Sequence, residues 1–301
     1  MIGIICAWFN IVICVGVPTA VFAFLLKKSK QSLKIFLVGG CTYLISQVCI
    51  RQPVLSILES IDAYKIFEIS NPVGYMLFIS ITAALIEEFG RYIAFHFVTR
   101  DCTVNNIPLY YGFGHGGIEA LSVGINNIFL ILFSSDYLAS TGASVALAGV
   151  ERISTQIAQI AFSFIVFYAF HKKKYRYLML AIVLHTVYDF SVILLNYGLS
   201  PSVLEMLLFV VSIVLLLFTM KYKKECFKMK KIVKVLFCLV AIVALASCGS
   251  NKLPEWADTE VLTENARVLI DTLNDFDYEA LRKFTITPPW MRRLLRQAER
   301  P

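Results

Sequence analysis

The sequence predicts an all-α fold, a polytopic transmembrane helical bundle of about seven spans, or eight if residues 232–247 also cross. Three observations carry this prediction. Of 301 residues, 58% are hydrophobic and only 16% charged, and the mean hydropathy is +0.70, which is the composition of a membrane chain rather than a soluble globule. Apolar runs of about 20 residues, the length that crosses a bilayer core, recur along the chain. The Lys and Arg residues behind the net charge of +7 fall in short blocks between those runs. Such blocks orient a membrane protein. They do not form a basic face for nucleic acid, so the expected surroundings are membrane lipid, with no nucleic-acid partner.

Taken in order, the apolar runs place spans at about 3–26, 33–50, 72–98, 107–133, 143–170, 177–197 and 202–220. The third and fifth are long enough to tilt or protrude. Lys27, Lys28, Lys30 and Lys34 follow the first span, Arg100 the third, "HKKKYRY" the fifth and "KYKKECFKMKK" the seventh. The opposite connections are poor in cations: Arg51 and Lys65 follow the second span, and "SSDYLASTGA" and "NYGLSPS" carry none. The positive-inside rule therefore sets the N-terminus outside and residue 225 in the cytoplasm. The eight cysteines include no CxxC pair, and Cys6, Cys14, Cys41, Cys49 and Cys238 lie inside apolar runs. They read as small buried residues rather than a disulfide framework.

Past residue 222 the pattern changes. The chain divides into a membrane domain (1–222), a basic linker with a signal-like segment (223–248) and a polar tail (249–301). "MKKIVKVLFCLVAIVALASCGSN" (229–251) has a basic start, a short apolar stretch and "LASC" at its end, the build of a secretory signal. It resembles a bacterial lipoprotein signal, which implies lipidation at Cys248; the alternative is an eighth span. Either way residues 249–301 lie outside, as one or two short amphipathic helices. The segment reads like the start of a second, shortened protein fused to the first.

Ionisable side chains inside a membrane are costly, and they face a bundle interior or a water-filled cavity. Here they concentrate in four spans. The third carries Glu87, Glu88 and Arg91 in "LIEEFGR". The fourth carries His115 and Glu119 in "FGHGGIEA", the fifth Gln156 and Gln159, and the sixth His185 and Asp189 in "HTVYD". At the helical rise per residue, His115 and His185 each lie about 14 Å from their cationic ends, and Glu87 and Gln159 about 20 Å. These four therefore share a slab in the cytoplasmic half. Glu151 and Arg152 fall near the outer end of the fifth span and read as an interfacial ion pair.

Spacing refines the set. Arg91 is i,i+4 to Glu87 and i,i+3 to Glu88, both helix neighbours. Adjacent glutamates point about 100° apart, so one is neutralised by Arg91 and the other faces the site, with Glu87 favoured as the free one. His115 and Glu119, like His185 and Asp189, are i,i+4 pairs in which a carboxylate can orient a ring. Gly112, Gly114, Gly116 and Gly117 permit either close helix packing or entry of an extended substrate. Two chemistries fit: hydrolysis by glutamate-activated water with histidines holding a metal or stabilising an oxyanion, and proton-coupled transport. A non-catalytic membrane chaperone or scaffold is a further alternative.

"EEFGR" (87–91), the histidine of "FGHGGIEA" (113–120) and "HTVYD" (185–189) resemble the motifs of the CPBP intramembrane proteases, the CAAX-protease and bacteriocin-processing group. The general pattern there is EExxxR, then FxxxH, then HxxxN. The nearest likeness is to the YhfC family of intramembrane metalloproteases, with its shorter EExxR and GHGGxEA, over roughly residues 1–222. The resemblance implies a protease of the bacterial cytoplasmic membrane acting on a peptide or membrane-protein substrate. It implies that Glu87 or Glu88 activates water with Arg91 in support. It further implies that His115, His185 and Asp189 hold zinc or another divalent ion, or that without a metal the histidines stabilise the oxyanion. Glu119 and Gln159 would support them. Asp189 stands where many relatives have Asn, a departure that favours a ligand or ring-orienting role.

Overall fold

The computed structural model describes residues 2–99, 104–133 and 135–221, all within one unit, Met1–Gly249. The signal-like segment with Cys248, the eighth-span alternative and the 249–301 tail lie outside the described residues. Among the described residues there is no strand. Seven helices among the described residues are long and apolar enough to cross a membrane: α1 (Gly3–Lys28), α2 (Lys30–Glu59), α4 (Pro72–Thr99), α5 (Ile107–Phe133), α6 (Ser135–Lys172, apolar over Ser144–Lys172), α7 (Tyr175–Tyr197) and α8 (Pro201–Met220). A short helix, α3 (Asp62–Ser70), precedes α4.

Local chemistry sets the breaks. Ser29 caps α2 by accepting from the Ser32 amide at 3.3 Å. Asn71 caps α4 by accepting from the Gly74 amide at 2.9 Å, with Pro72 at the first helical position. Lys173, between α6 and α7, and Gly198, closing α7, take positive φ of 52° and 87°, the left-handed turn that ends helices.

Two features of the 50–71 region depart from expectation. The second span does not stop at residue 50. A π-helical turn over Leu44–Arg51 carries it on to Glu59, with Arg51 inside the helix. Arg51 donates to Gln47 Oε1 at 3.1 Å and to the Ile79 carbonyl at 2.9 Å. It is a helix-packing residue, not a loop cation. The stretch expected to be a loop also contains α3, whose Tyr64 and Phe67 pack edge-on against Tyr75 of α4.

α6 is the central helix: 61% of its apolar window is buried, against 22–39% for the other spans. An aromatic-rich core packs round its second half, with Phe162, Ile165 and Val166 of α6 meeting Phe95 of α4, Tyr111 of α5 and Tyr177 and Ala181 of α7. The outward Ile, Leu and Phe side chains, such as Ile93, Phe97 and Leu132, suit lipid contact.

The glycines of α5 serve packing. A Cβ on Gly114 would collide with the backbone carbonyl of Phe36 in α2, and one on Gly112 would lie 2.6 Å from Ile160 Cα in α6. None of the four lines the cavity described below, so the substrate-entry alternative for them is set aside. Gly114→Ala is expected to lower stability by about 1–3 kcal/mol through overpacking. The apparent Tm in detergent checks this, and an unchanged Tm would mean that the α2–α5 contact is loose.

Candidate functional site

The mid-helix turn of α4 places three charged residues inside the bundle: Glu87 is 5% exposed, and Glu88 and Arg91 are 0%. Arg91 pairs with Glu88, its i,i+3 neighbour, with Nε 3.0 Å from Oε2 and Nη2 donating to Oε1 at 3.3 Å. It also reaches across to α6. Nη1 donates to the Gln159 carbonyl at 3.0 Å and to Ser163 Oγ, and Nη2 donates to Gln159 Oε1. Arginine has only donors, so Gln159 must turn its carbonyl oxygen to Arg91 and its amide nitrogen away. That nitrogen donates to Glu87 Oε2 at 3.1 Å and to Glu119 Oε2 at 3.2 Å.

Glu87 is the hub. Its Oε1 accepts from Gln47 Nε2 of α2. Its Oε2 faces His115 Nε2 of α5 at 3.0 Å and His185 Nε2 of α7 at 3.9 Å. Because both imidazoles look at one oxygen, their Nε2 atoms are no farther apart than the sum of those two distances. His185 Nδ1 lies 2.7 Å from Glu88 Oε1. A carboxylate acceptor there fixes the Nδ1–H tautomer and leaves the Nε2 lone pair aimed at Glu87. The ring is held flat against Phe162, with centroids 4.8 Å apart and planes at 14°. Asp189, one turn on, puts Oδ2 3.5 Å from the same Nε2.

A cavity of about 450 Å³ reaches this hub. Glu87, Gln159 and His185 form its buried floor; Glu119, Glu151, Arg152, Asp189 and Glu205 line its walls. Glu88 and His115 do not line it. They stand behind the floor, Glu88 holding His185 and His115 holding Glu87.

Among the described residues, one group of metal-type donors lies within mutual reach: one atom each from Glu87, Glu88 and His185, all within 4.8 Å. The set expected from sequence was His115, His185 and Asp189, and only His185 belongs to both. His115 turns its Nε2 to Glu87, and the Asp189 side chain, 33% exposed, meets His185 from the solvent side. Two guanidiniums beside this group are committed elsewhere: Arg91 to Glu88, and Arg152 to Glu119 at 2.8 Å and to Glu151. Carboxylates therefore outnumber guanidiniums round the His185 lone pair. An oxygen-rich, one-imidazole donor set of this kind fits a divalent cation.

Sequence reasoning missed Gln47, Arg152, Glu151 and Glu205 as parts of this region. Gln47 and Glu205 are lone polar residues in apolar runs, "LISQVCIR" and "SVLEMLLF", which is a readable signal. The Glu151–Arg152 pair expected from sequence forms, and Arg152 in addition reaches Glu119 of α5 at 2.8 Å in the cavity wall.

A family model described as YhfC intramembrane metalloprotease matches residues 11–140 and 128–215. An uncharacterized membrane protein YhfC of Bacillus subtilis (strain 168) is 24% identical over 207 residues, covering 60% of this chain and 80% of that protein. No solved structure matches the chain.

Proposed function

The chain belongs to the YhfC family, and from that premise and the geometry above we propose that it is an intramembrane endopeptidase with Glu87 as general base. The observation that carries the proposal is the position of the Glu87 carboxylate. It sits at the floor of a cavity, between two histidines, while the adjacent Glu88 is tied to Arg91.

Glu87 accepts a proton from a water in the cavity, and the hydroxide so formed adds to the carbonyl carbon of the scissile bond. The proton then passes from Glu87 to the leaving nitrogen as the C–N bond breaks. Gln47, Gln159 and His115 hold the carboxylate in one orientation, so little reorganisation accompanies the transfer. Glu88 and Phe162 fix the His185 ring. Glu87 and the Nε2 of His185 would hold a divalent cation, zinc among the candidates, with Asp189 3.5 Å from the same nitrogen and Glu88 orienting the ring from its Nδ1 side. Such an ion polarises a carbonyl and acidifies water when bound.

Two measurements test the reading. Labelling of peptide N-termini in membranes is expected to show new termini when the chain is expressed and none with an empty vector; identical profiles sink the peptidase. Elemental analysis of purified protein is expected to find about one divalent ion per chain, the count a single-ion site requires. That ion should be lost in His185→Ala. Equal metal content in wild type and variant would remove the ion from this site.

A further inference from the structure

We propose that the substrate enters from the extracytoplasmic side, so that the substrate class is a peptide segment presented outside the membrane or in its outer leaflet. This rests on the peptidase reading for the word substrate, but the route itself stands on the cavity.

The cationic blocks mark one end of the bundle: Lys27 and Lys28 at the end of α1, His171 and Lys172 at the end of α6, Arg176 at the start of α7 and Lys221 after α8. The cavity reaches toward the other end along the three helices that form most of its wall, α6, α7 and α8, while α4 and α5 add Glu87 and Glu119 at mid-helix. α8 contributes its first two turns, including Pro201, Glu205 and Leu208, farthest from Lys221. α7 contributes His185 and the residues after it, as far as Leu195, farthest from Arg176. α6 contributes Ser144 through Phe162 and nothing from its last turns. Exposure follows the same direction. Ser144, Val192 and Pro201 are exposed at the mouth, whereas Ala158, Gln159, Phe162 and His185 are nearly inaccessible at the floor. Beyond the floor, towards the cationic end, the space is filled by Phe95, Tyr111, Ile165, Val166 and Tyr177.

With cations retained in the cytoplasm, the mouth opens outside. Counted along the sequence, Glu87, His115, Gln159 and His185 share a slab in the cytoplasmic half. The residues do sit past the middle of their helices, but the apolar core closes that side and the approach comes from the opposite one. The wall chemistry agrees with a wet route: Glu119, Glu151, Arg152 and Asp189 are side chains that a lipid-facing surface would exclude.

Cysteine accessibility in spheroplasts tests this without any cleavage assay. In a background with the eight native cysteines replaced by Ser or Ala, Ser144→Cys and Val192→Cys report on the mouth, and Tyr175→Cys reports on the cationic end. Apparent Tm in detergent confirms that each variant folds. Pretreating intact spheroplasts with a membrane-impermeant thiol reagent is expected to abolish later maleimide labelling of the two mouth cysteines and to spare Tyr175→Cys. Protection of the mouth cysteines together with loss at Tyr175→Cys would reverse the orientation and overturn the proposal. Mouth cysteines spared along with Tyr175→Cys, and still spared in inside-out vesicles, would show a closed cavity and overturn it equally. Since none of these readings uses catalysis, entry can fail while new N-termini still appear, and the reverse.

Discussion

Glu87→Gln is expected to reduce cleavage by about 10²–10⁴-fold, the contribution of a positioned proton-transfer group, while the protein stays folded. The substitution preserves shape, so the result isolates the carboxylate's basicity. It is not perfectly neutral for packing. Glu87 offers one oxygen to Gln47 and the other to Gln159 and His115. An amide has only one acceptor oxygen, so its nitrogen must face a neighbour, best His115, whose ring can present a lone pair. One imperfect contact of this kind costs about 1–3 kcal/mol, visible as a lower apparent Tm. The decisive comparison is the yield of new N-termini at matched protein levels. Undiminished cleavage would remove Glu87 as the base and leave the hub a structural network. Glu88→Gln makes the contrasting case. It touches no cavity surface and would act through the loss of Arg91 pairing and of His185 orientation.

Much of this site was legible because membranes make polar residues conspicuous. Glu87, Glu88, Arg91, His115 and His185 stood out as charges and imidazoles in runs that should be apolar, and the rise per residue set them at similar depths. The helix periodicity also gave the Arg91–Glu88 option. What sequence could not supply was lateral arrangement. The π turn at Leu44–Arg51 changes the rotation of α2 and swings Gln47 onto Glu87, and no periodicity count foresees a register change of that kind. Arg152 was legible as the partner of Glu151, and its second contact, to Glu119 of α5, is again a matter of lateral arrangement. The ligand set shifted for a similar reason. Asp189 does reach His185, at 3.5 Å, but the α4 carboxylates Glu87 and Glu88 join it there and His115 turns to Glu87 instead, a matter of helix rotation rather than spacing. The extra helix Asp62–Ser70 lacked a strong signal, since its residues are largely exposed and mixed in polarity.

Arg91→Met is expected to cost about 3–5 kcal/mol of stability, the range for breaking a buried ion pair by removing one partner. Arg91 is wholly buried, and its Nη1 and Nη2 atoms make four hydrogen bonds, to Gln159, Ser163 and Glu88, while Nε faces Glu88 at 3.0 Å. Methionine fills similar volume, so the loss is electrostatic rather than a cavity. It strands the Glu88 carboxylate with only His185 beside it, and it frees the Gln159 amide to turn away from Glu87. Arg91→Lys is no repair, because one ammonium cannot span the Glu88 carboxylate and the Gln159 backbone together. The informative variant is the double change Glu88→Gln with Arg91→Met. Removing both charges removes the stranded carboxylate, so the double variant is expected to be more stable than Arg91→Met alone, with a coupling inside the 0.5–3 kcal/mol range of contacting residues. Cleavage should nevertheless stay low, since a neutral amide at position 88 no longer fixes the His185 tautomer. Recovery of stability without recovery of cleavage would separate the two roles of this pair, holding α4 to α6 and aiming His185. A loss below about 0.5 kcal/mol in Arg91→Met, the level of an ordinary surface substitution, would show that the pair holds neither.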